Sequence, residues 1–416
     1  MTDPFKRREF LKTSIGTASL AVAGRAAEKS PLRFAVVGTG GRGSDLIRKL
    51  TTFREVEIGG VCDIYPPHLE KGIEYSEGAE GFKDFSEMLE KTQPRVVVIA
   101  TPLHLHESMA LEAIEFGAHL YCEKILAYSV DAARRIAEAA EKKGTILQVG
   151  LQKRANPIYD QAVSMVETGM LGQIAAIKCQ WHRNHSWRRP LPVSEGDPYY
   201  EQLDRHLNWR LYKETSQGLM AELGSHQMDV VNRILGVPPK RVLATGGIDY
   251  WRDGREVCDN VFCVYEYEKK NDEGNPYTVR VTYSSLQSNA YEGASELVMG
   301  DKGTLFLTSK KALFYRENVG EEVLAESSKG SDSDAVIVTS GKTLGLSNDP
   351  WAHRGKPLEI DSESDESRDA LYAFIRKVQK GDRKTICDAN VGVENVATVL
   401  MANESIERGV TVEYPI

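Results

Sequence analysis

Cysteine pairs with metal or redox spacing are missing from this chain. Its six cysteines, Cys62, Cys122, Cys179, Cys258, Cys263 and Cys387, include no C-x-x-C pair and no Cys/His cluster of zinc type. A metal site is therefore not expected, and cysteines scattered through apolar segments read as buried free thiols. Also missing is an uninterrupted run of about 18 apolar residues, the length a membrane-spanning helix needs. Positive charge is in deficit: 52 Lys and Arg stand against 60 Asp and Glu, for a net charge of −8. That balance argues against a nucleic-acid or anionic-membrane partner, since either asks for a basic face. There is no internal repeat and no low-complexity tract. What remains is an ordinary globular balance, 41% hydrophobic and 27% charged, over 416 residues. That is too long for one core, so two domains are expected behind a leader.

The leader is read from Lys6-Arg7-Arg8-Glu9-Phe10-Leu11-Lys12, followed by a mildly apolar stretch from Thr13 to Ala23. A basic pair, an apolar run and small residues at Ala21-Val22-Ala23 or Ala26-Ala27 form the pattern of a twin-arginine export signal. The expected division is a leader and linker over 1–29, a dinucleotide domain over 30–150 and a second domain over 151–416. Export would place the protein in the periplasm or outside the cell. The twin-arginine route carries folded proteins, so a cofactor acquired in the cytoplasm would have to be held tightly.

Leu32 to Val37 reads as a buried strand that runs into Gly38-Thr39-Gly40-Gly41-Arg42-Gly43 and then an amphipathic stretch, Ser44 to Leu50. This is G-x-G-x-x-G between strand and helix. Gly38 allows the tight turn, Gly40 lets the backbone approach a pyrophosphate, and Gly43 lets helix and strand pack closely. The helix N-terminus offers free N–H groups to phosphate. A second strand, Val56 to Cys62, ends at Asp63, placed to accept the ribose 2′-hydroxyl. A carboxylate there repels a 2′-phosphate, and Ile64-Tyr65-Pro66 supplies no arginine, so NAD is favoured over NADP.

The strand–helix rhythm continues through a short helix from Phe85 to Leu89, a strand from Arg95 to Ala100, a helix from Glu107 to Phe116, a strand from His119 to Cys122, a helix from Val130 to Lys143 and a strand from Thr145 to Val149. Such alternation implies a parallel sheet covered on both faces, an N-terminal Rossmann domain. After Leu151 the pattern changes. Ile174–Trp181, Val242–Asp249, Asn260–Tyr267, Tyr277–Leu286, Glu296–Met299 and Gly303–Thr308 read as strands of an open, mostly antiparallel sheet. Ser367–Gln379 and Gly392–Ile406 read as helices, and Ser327–Leu346 as a loop. The uncovered face of such a sheet suggests a homo-oligomer.

Thr101-Pro102-Leu103-His104-Leu105-His106, then Gly117, then Cys122-Glu123-Lys124 resemble the Gfo/Idh/MocA family of oxidoreductases. So does Gly218-Leu219-Met220-Ala221-Glu222-Leu223-Gly224-Ser225-His226-Gln227-Met228-Asp229, which is similar to that family's D-x-G-x-H-x-x-D stretch. Two departures stand out: Ile125 replaces the usual proline after the Glu-Lys pair, and Glu222 replaces the usual aspartate. The resemblance implies that Thr101, Pro102, His106, Glu123, Lys124 and Arg154 border the cofactor. It also implies that Lys124, Glu222 and His226 form the catalytic group, with the roles of Lys124 and His226 undivided.

The residue chemistry agrees. Oxidising an alcohol needs a group that takes the hydroxyl proton near neutral pH. A lysine beside a cationic nicotinamide, or an imidazole, can do this. On a helix Glu222, His226 and Asp229 share one face, opposite an apolar stripe of Met228, Val231 and Leu235, so either carboxylate could orient the imidazole. Trp181-His182-Arg183-Asn184-His185-Ser186-Trp187-Arg188-Arg189 combines aromatic faces with polar groups suited to a sugar. His182, Arg183, Trp187 and Trp209, with Lys124, Arg154 and His226, are the expected substrate contacts, and Arg210 is expected nearby. The expected function is an NAD-dependent oxidoreductase acting on a hydroxyl of a sugar, polyol or glycoside. A redox-neutral glycosidase or epimerase that returns the hydride is the alternative, and a non-catalytic sugar- or cofactor-binding protein is the third reading.

Overall fold

The computed structural model describes residues 31–316, 356–357 and 363–415. The leader and the Ser327–Leu346 loop lie outside the described residues. The first sheet has six parallel strands: β1 (Leu32–Val37), β2 (Val56–Cys62), β3 (Glu80–Phe82), β4 (Val96–Ile99), β5 (His119–Cys122) and β6 (Leu147–Val149), in the order 3-2-1-4-5-6. Parallel neighbours require crossovers. Those between the first strands are α1 (Gly41–Leu50), α2 (Pro66–Tyr75), α3 (Phe85–Thr92), α4 (His106–Phe116) and α5 (Val130–Lys143).

The second domain is entered through α6 (Pro157–Glu167). Its strands are β7 (Ile174–Asn184), β8 (Arg241–Gly247), β9 (Asn260–Lys270), β10 (Pro276–Leu286), β11 (Ser288–Gly300), β12 (Gly303–Leu307), β13 (Ala312–Arg316), β14 (Lys356–Pro357) and β15 (Val412–Glu413). They form one sheet in the order 14-13-12-11-7-10-9-8-15. Every pairing is antiparallel except β7 with β10 at the centre. The helices of this half are α7 (Tyr200–Leu207), α8 (Ser225–Leu235), α9 (Glu366–Lys380) and α10 (Ala389–Arg408).

Burial explains both patterns. Phe34, Val36, Val96 and Val98 point to one face of the first sheet, and Ala35, Val37, Val97 and Ile99 to the other, all buried. With both faces covered, the strands read as apolar runs. One cover was not foreseen: α9 returns from the far end of the chain and packs Leu371, Phe374, Ile375 and Val378 against Phe34, Val36 and α1. On β9 the alternation is plain: Val261, Cys263, Tyr265 and Tyr267 are buried while Phe262 and Val264 are exposed. The inner face is locked to the helices by Tyr267 Oη donating to Asn232 Oδ1 at 2.8 Å on α8 and Tyr265 Oη donating to the Thr398 carbonyl at 3.0 Å on α10.

The six cysteines are free thiols, all buried except the half-buried Cys258. Among the described residues no helix is long and apolar enough to cross a membrane, and no group of His, Cys, Asp and Glu could hold a metal ion. Seven elements escaped the sequence pattern: the helices α2, α6 and α7 and the short strands β3, β13, β14 and β15. Two begin at prolines, where the ring occupies the first helical turn that has no hydrogen bond to lose.

Candidate active site

Register assembles the site. Val37 pairs with Ile99, and Ile99 with Cys122, so β1, β4 and β5 end side by side. Gly38, Ala100-Thr101 and Glu123-Lys124 therefore leave the sheet at one edge, beside the point where strand order reverses. This is where open parallel sheets bind ligands.

The glycine loop fits a dinucleotide. Gly38 has φ +84°, and a Cβ on it would lie 2.7 Å from the backbone of Ala100 and Thr101. A Cβ on Gly43 would lie 1.8 Å from the Gly38 carbonyl oxygen, so helix and strand could not pack as they do. No side chain caps the start of α1, which leaves its first N–H groups open to an anion. Asp63 lines the same cleft and accepts from the Thr39 N–H at 2.8 Å and the Tyr65 N–H at 2.9 Å. Burial would raise its carboxyl, but His68 and the two N–H donors hold it below the ordinary range.

The cleft has two continuous compartments. The first, about 410 Å³, runs along the glycine loop, Asp63 and Pro102, and its far wall comes from the second domain: Arg189, Arg205, His206, Trp209 and Arg210. His206 on α7 comes to 6.0 Å from Tyr65, ring to ring, so α7 covers the Asp63 end of this compartment. His68, whose Nδ1 lies 3.7 Å from Asp63, belongs to the same wall. Sequence reading missed His68, Arg205 and His206. Their only signal is proximity to Asp63, which the chain order conceals for two of them.

The second compartment is lined by Thr101, His106, Glu123, Lys124, Gln152, Trp181, Arg183, Trp187, Trp209, Arg210, Glu222 and His226, among others. Lys124 follows β5, and its Nζ donates to the carbonyls of Ala221 and Glu222, both at 3.1 Å. These carbonyls belong to a π-helical turn, Met220–Gly224, that leads into α8. Glu222 Oε1 lies 4.0 Å from the same ammonium, and Oε2 accepts from Arg210 Nε at 2.7 Å. Burial would raise the Glu222 carboxyl, but Lys124 and Arg210 outweigh it and hold the group ionised. Burial lowers the Lys124 ammonium despite Glu222 and Glu123. His226 is buried 5.4 Å from the Trp181 ring, and its Nδ1 has no hydrogen-bond partner among the described residues. Burial, then the cations Lys124 and Lys153, keep its pKa well below the usual histidine value. The imidazole is neutral near pH 7.

Several expected contacts lie elsewhere. Neither carboxylate orients His226: Glu222 is taken by Arg210, and Asp229 by Arg154, whose Nε and Nη2 reach it at 2.8 to 3.0 Å. Arg154 is thereby a structural tie across the back of α8, and does not line either compartment. α8 itself is buried all round rather than on one stripe. His182 faces away, because strand alternation sends Trp181 and Arg183 to the cleft and the residue between them to the outer face. There its ring nitrogens meet the Tyr291 carbonyl and Ser284 Oγ, both at 2.9 Å. Thr39 is buried, its hydroxyl donating to the His68 carbonyl at 2.7 Å, so only its backbone serves the loop. His106 borders the cleft, but its nitrogens lie 3.0 and 3.1 Å from the carbonyls of Ile125 and Thr101. Arg42 ties the glycine loop to Glu123 at 2.8 Å and to Ser367 at 3.0 Å. The Lys124–Ile125 peptide is cis, and Ile125 is buried.

A parallel sheet in this strand order, a glycine loop ending in an acid-lined cleft, and a lysine–imidazole pair at the sheet edge define a nicotinamide-dependent oxidoreductase. Two family models cover most of the chain: the NAD-binding Rossmann fold of an oxidoreductase family over residues 32–151, and that family's C-terminal alpha/beta domain over 163–414. The chain belongs to the Gfo/Idh/MocA oxidoreductase family.

An uncharacterized oxidoreductase of Bacillus subtilis, YrbE, is 21% identical over 70% of this chain and 83% of its own length. Inositol 2-dehydrogenase of Salmonella typhimurium is 30% identical, over 34% of this chain and 43% of that enzyme. Among solved structures, levoglucosan dehydrogenase with NADH and levoglucosan superposes with a TM-score of 0.70 at 15% identity, over 93% of this chain and 100% of that one. The WlbA dehydrogenase of Bordetella pertussis, with NADH and UDP-GlcNAcA, gives 0.66 at 20% identity, over 93% and 99%. At these identities the superpositions establish the fold.

Proposed function

We propose that the protein oxidises a secondary hydroxyl of a sugar, polyol or glycoside, using a tightly held NAD. The observation that carries this reading is that buried, neutral His226 lines the same compartment as Lys124, adjoining the glycine loop. Bound NAD would supply the hydride acceptor. The first N–H groups of α1 would hold its pyrophosphate and Asp63 its ribose hydroxyls. Arg189 approaches from the second domain: its Nη2 lies 3.7 Å from where a Cβ on Gly41 would be, and it has no ion pair among the described residues. It is the cation placed to close over the pyrophosphate.

His226, kept neutral, accepts the proton of the reacting hydroxyl. Lys124 uses two of its three N–H bonds on the π-turn carbonyls, which leaves one for the same hydroxyl oxygen. Glu222 balances the ammonium and holds its position. The indoles of Trp181, Trp187 and Trp209 give the sugar ring apolar faces. Denaturing the purified full chain and identifying the released nicotinamide tests the first claim. Stoichiometric NADH under excess substrate supports net oxidation, whereas product without NADH would indicate a redox-neutral cycle.

Two further parts of the proposal concern context. The Arg7-Arg8 leader supports export by the twin-arginine route, to be checked by fractionating cells that carry Arg7→Lys/Arg8→Lys. Leu243, Phe262 and Val264 are 54%, 47% and 41% exposed on neighbouring strands, with Leu243 directly opposite Val264. Such an apolar patch supports pairing of two copies through the outer sheet face. Phe262→Asp should shift the solution mass towards the monomer.

A further inference from the structure

The cations around the substrate compartment are nearly all matched. Arg42 has Glu123 and Asp45, Arg210 has Glu222, Arg188 has Asp204 at 2.6 Å, and Lys153 behind the wall has Glu296 at 2.5 Å. Arg189 also lines this compartment without an ion pair among the described residues, but its Nη2 approaches Gly41 of the glycine loop, where the proposed pyrophosphate would meet it. Arg183 is the exception. It is half-buried, lines only the substrate compartment, and makes no side-chain hydrogen bond or ion pair among the described residues. Its guanidinium rests 4.8 Å from the centroid of the Trp181 ring, the same indole that lies against His226. Burial holds that guanidinium below its ordinary value, and the nearby Glu222 carboxylate, already bonded to Arg210, offsets this only in part. Gln152 Oε1, on the same wall, is buried without a hydrogen-bond donor.

We propose that the substrate is a sugar acid, whose carboxylate is bound by Arg183 while its hydroxyls meet Gln152, Lys124 and His226. This rests on the oxidoreductase reading of the site and names its substrate class. The planar fork of a guanidinium matches a carboxylate with two parallel hydrogen bonds. One unmatched cation suits a single negative charge. A phosphate dianion would meet the carboxylates of Glu123 and Glu222 with only one free partner. Trp181 fixes the geometry, because the anion site and the imidazole contact one ring, so the carboxylate and the reacting hydroxyl belong to the same small molecule.

The test uses the NAD-loaded full chain, with D-glucuronate and D-galacturonate against D-glucose and D-galactose, by calorimetry and by NADH formation. At least one uronate should bind roughly ten- to hundredfold more tightly than its neutral counterpart, the span expected of a charge-assisted hydrogen bond. Arg183→Gln should bring the two to parity, and Arg183→Lys should keep part of the preference, with NAD content reporting the folded state of each variant. Parity in the unaltered protein, no uronate binding, or a preference that survives Arg183→Gln would overturn the assignment. A uronate preference without any NADH would support the anion site while removing net dehydrogenation. NADH formed equally from neutral sugars would do the reverse.

Discussion

Lys124 and Glu222 meet twice: the ammonium donates to the Glu222 carbonyl at 3.1 Å and faces its carboxylate at 4.0 Å. One side chain leaves the first sheet and the other enters the second domain's helix. The contact therefore joins the two domains within the compartment proposed to hold the substrate, and it makes Lys124 a cap for the π turn.

Lys124→Ala should lower kcat by about 10²- to 10³-fold, the range for losing one hydrogen-bond donor to the reacting oxygen. It should also cost about 1 kcal/mol of stability from the lost hydrogen bonds. NAD content after purification should be retained. A kcat within twofold of the parent would remove Lys124 from the chemistry.

Arg154→Met separates structure from cofactor binding. Asp229 is buried and loses the one arginine paired with it among the described residues, and breaking a buried pair costs about 3–5 kcal/mol. Thermal unfolding should move down by many degrees, with NAD affinity of the folded fraction unchanged. If NAD affinity collapsed with unchanged stability, Arg154 would be a cofactor ligand after all.

Asp63→Asn should weaken NAD binding by roughly tenfold, through loss of a charged acceptor for the ribose hydroxyls. It should also narrow the preference over NADP, because the repulsion of a 2′-phosphate disappears. Titrating both cofactors into stripped protein measures the ratio, and an unaltered ratio would place the ribose elsewhere.

Acid should destabilise the fold through its buried and half-buried histidines. Burial is the first cause holding His104, His106, His119, His206 and His226 below 6.5. For each, the unfolded chain binds protons first as pH falls, so stability is full above 6.5 and declines below it. Each unit of depression is worth about 1.4 kcal/mol. Unfolding midpoints at pH 7.5 and 5.5, in matched salt, should differ by several degrees, the lower pH being less stable. The same sign places the acid limb of the rate profile below pH 6.5, where His226 would lose its accepting form.

Much of this protein was legible in the sequence because it is written in adjacent residues. The Gly38–Gly43 loop, the apolar runs of β1 and β4, Asp63 at the end of β2 and the Glu123-Lys124 pair follow from turn sterics, two-sided burial and strand-end placement, which a short stretch of chain carries. What only the tertiary structure decided are pairings between distant segments. It gave Asp229 to Arg154 and Glu222 to Arg210, left His226 without a carboxylate, brought α7 over Asp63 and sent α9 back to cover the first sheet. It also separated His182 from Arg183, since the facing of a strand residue is set by which side of the sheet is buried. A side chain's type is local, but its partner is chosen by the packing of the whole chain.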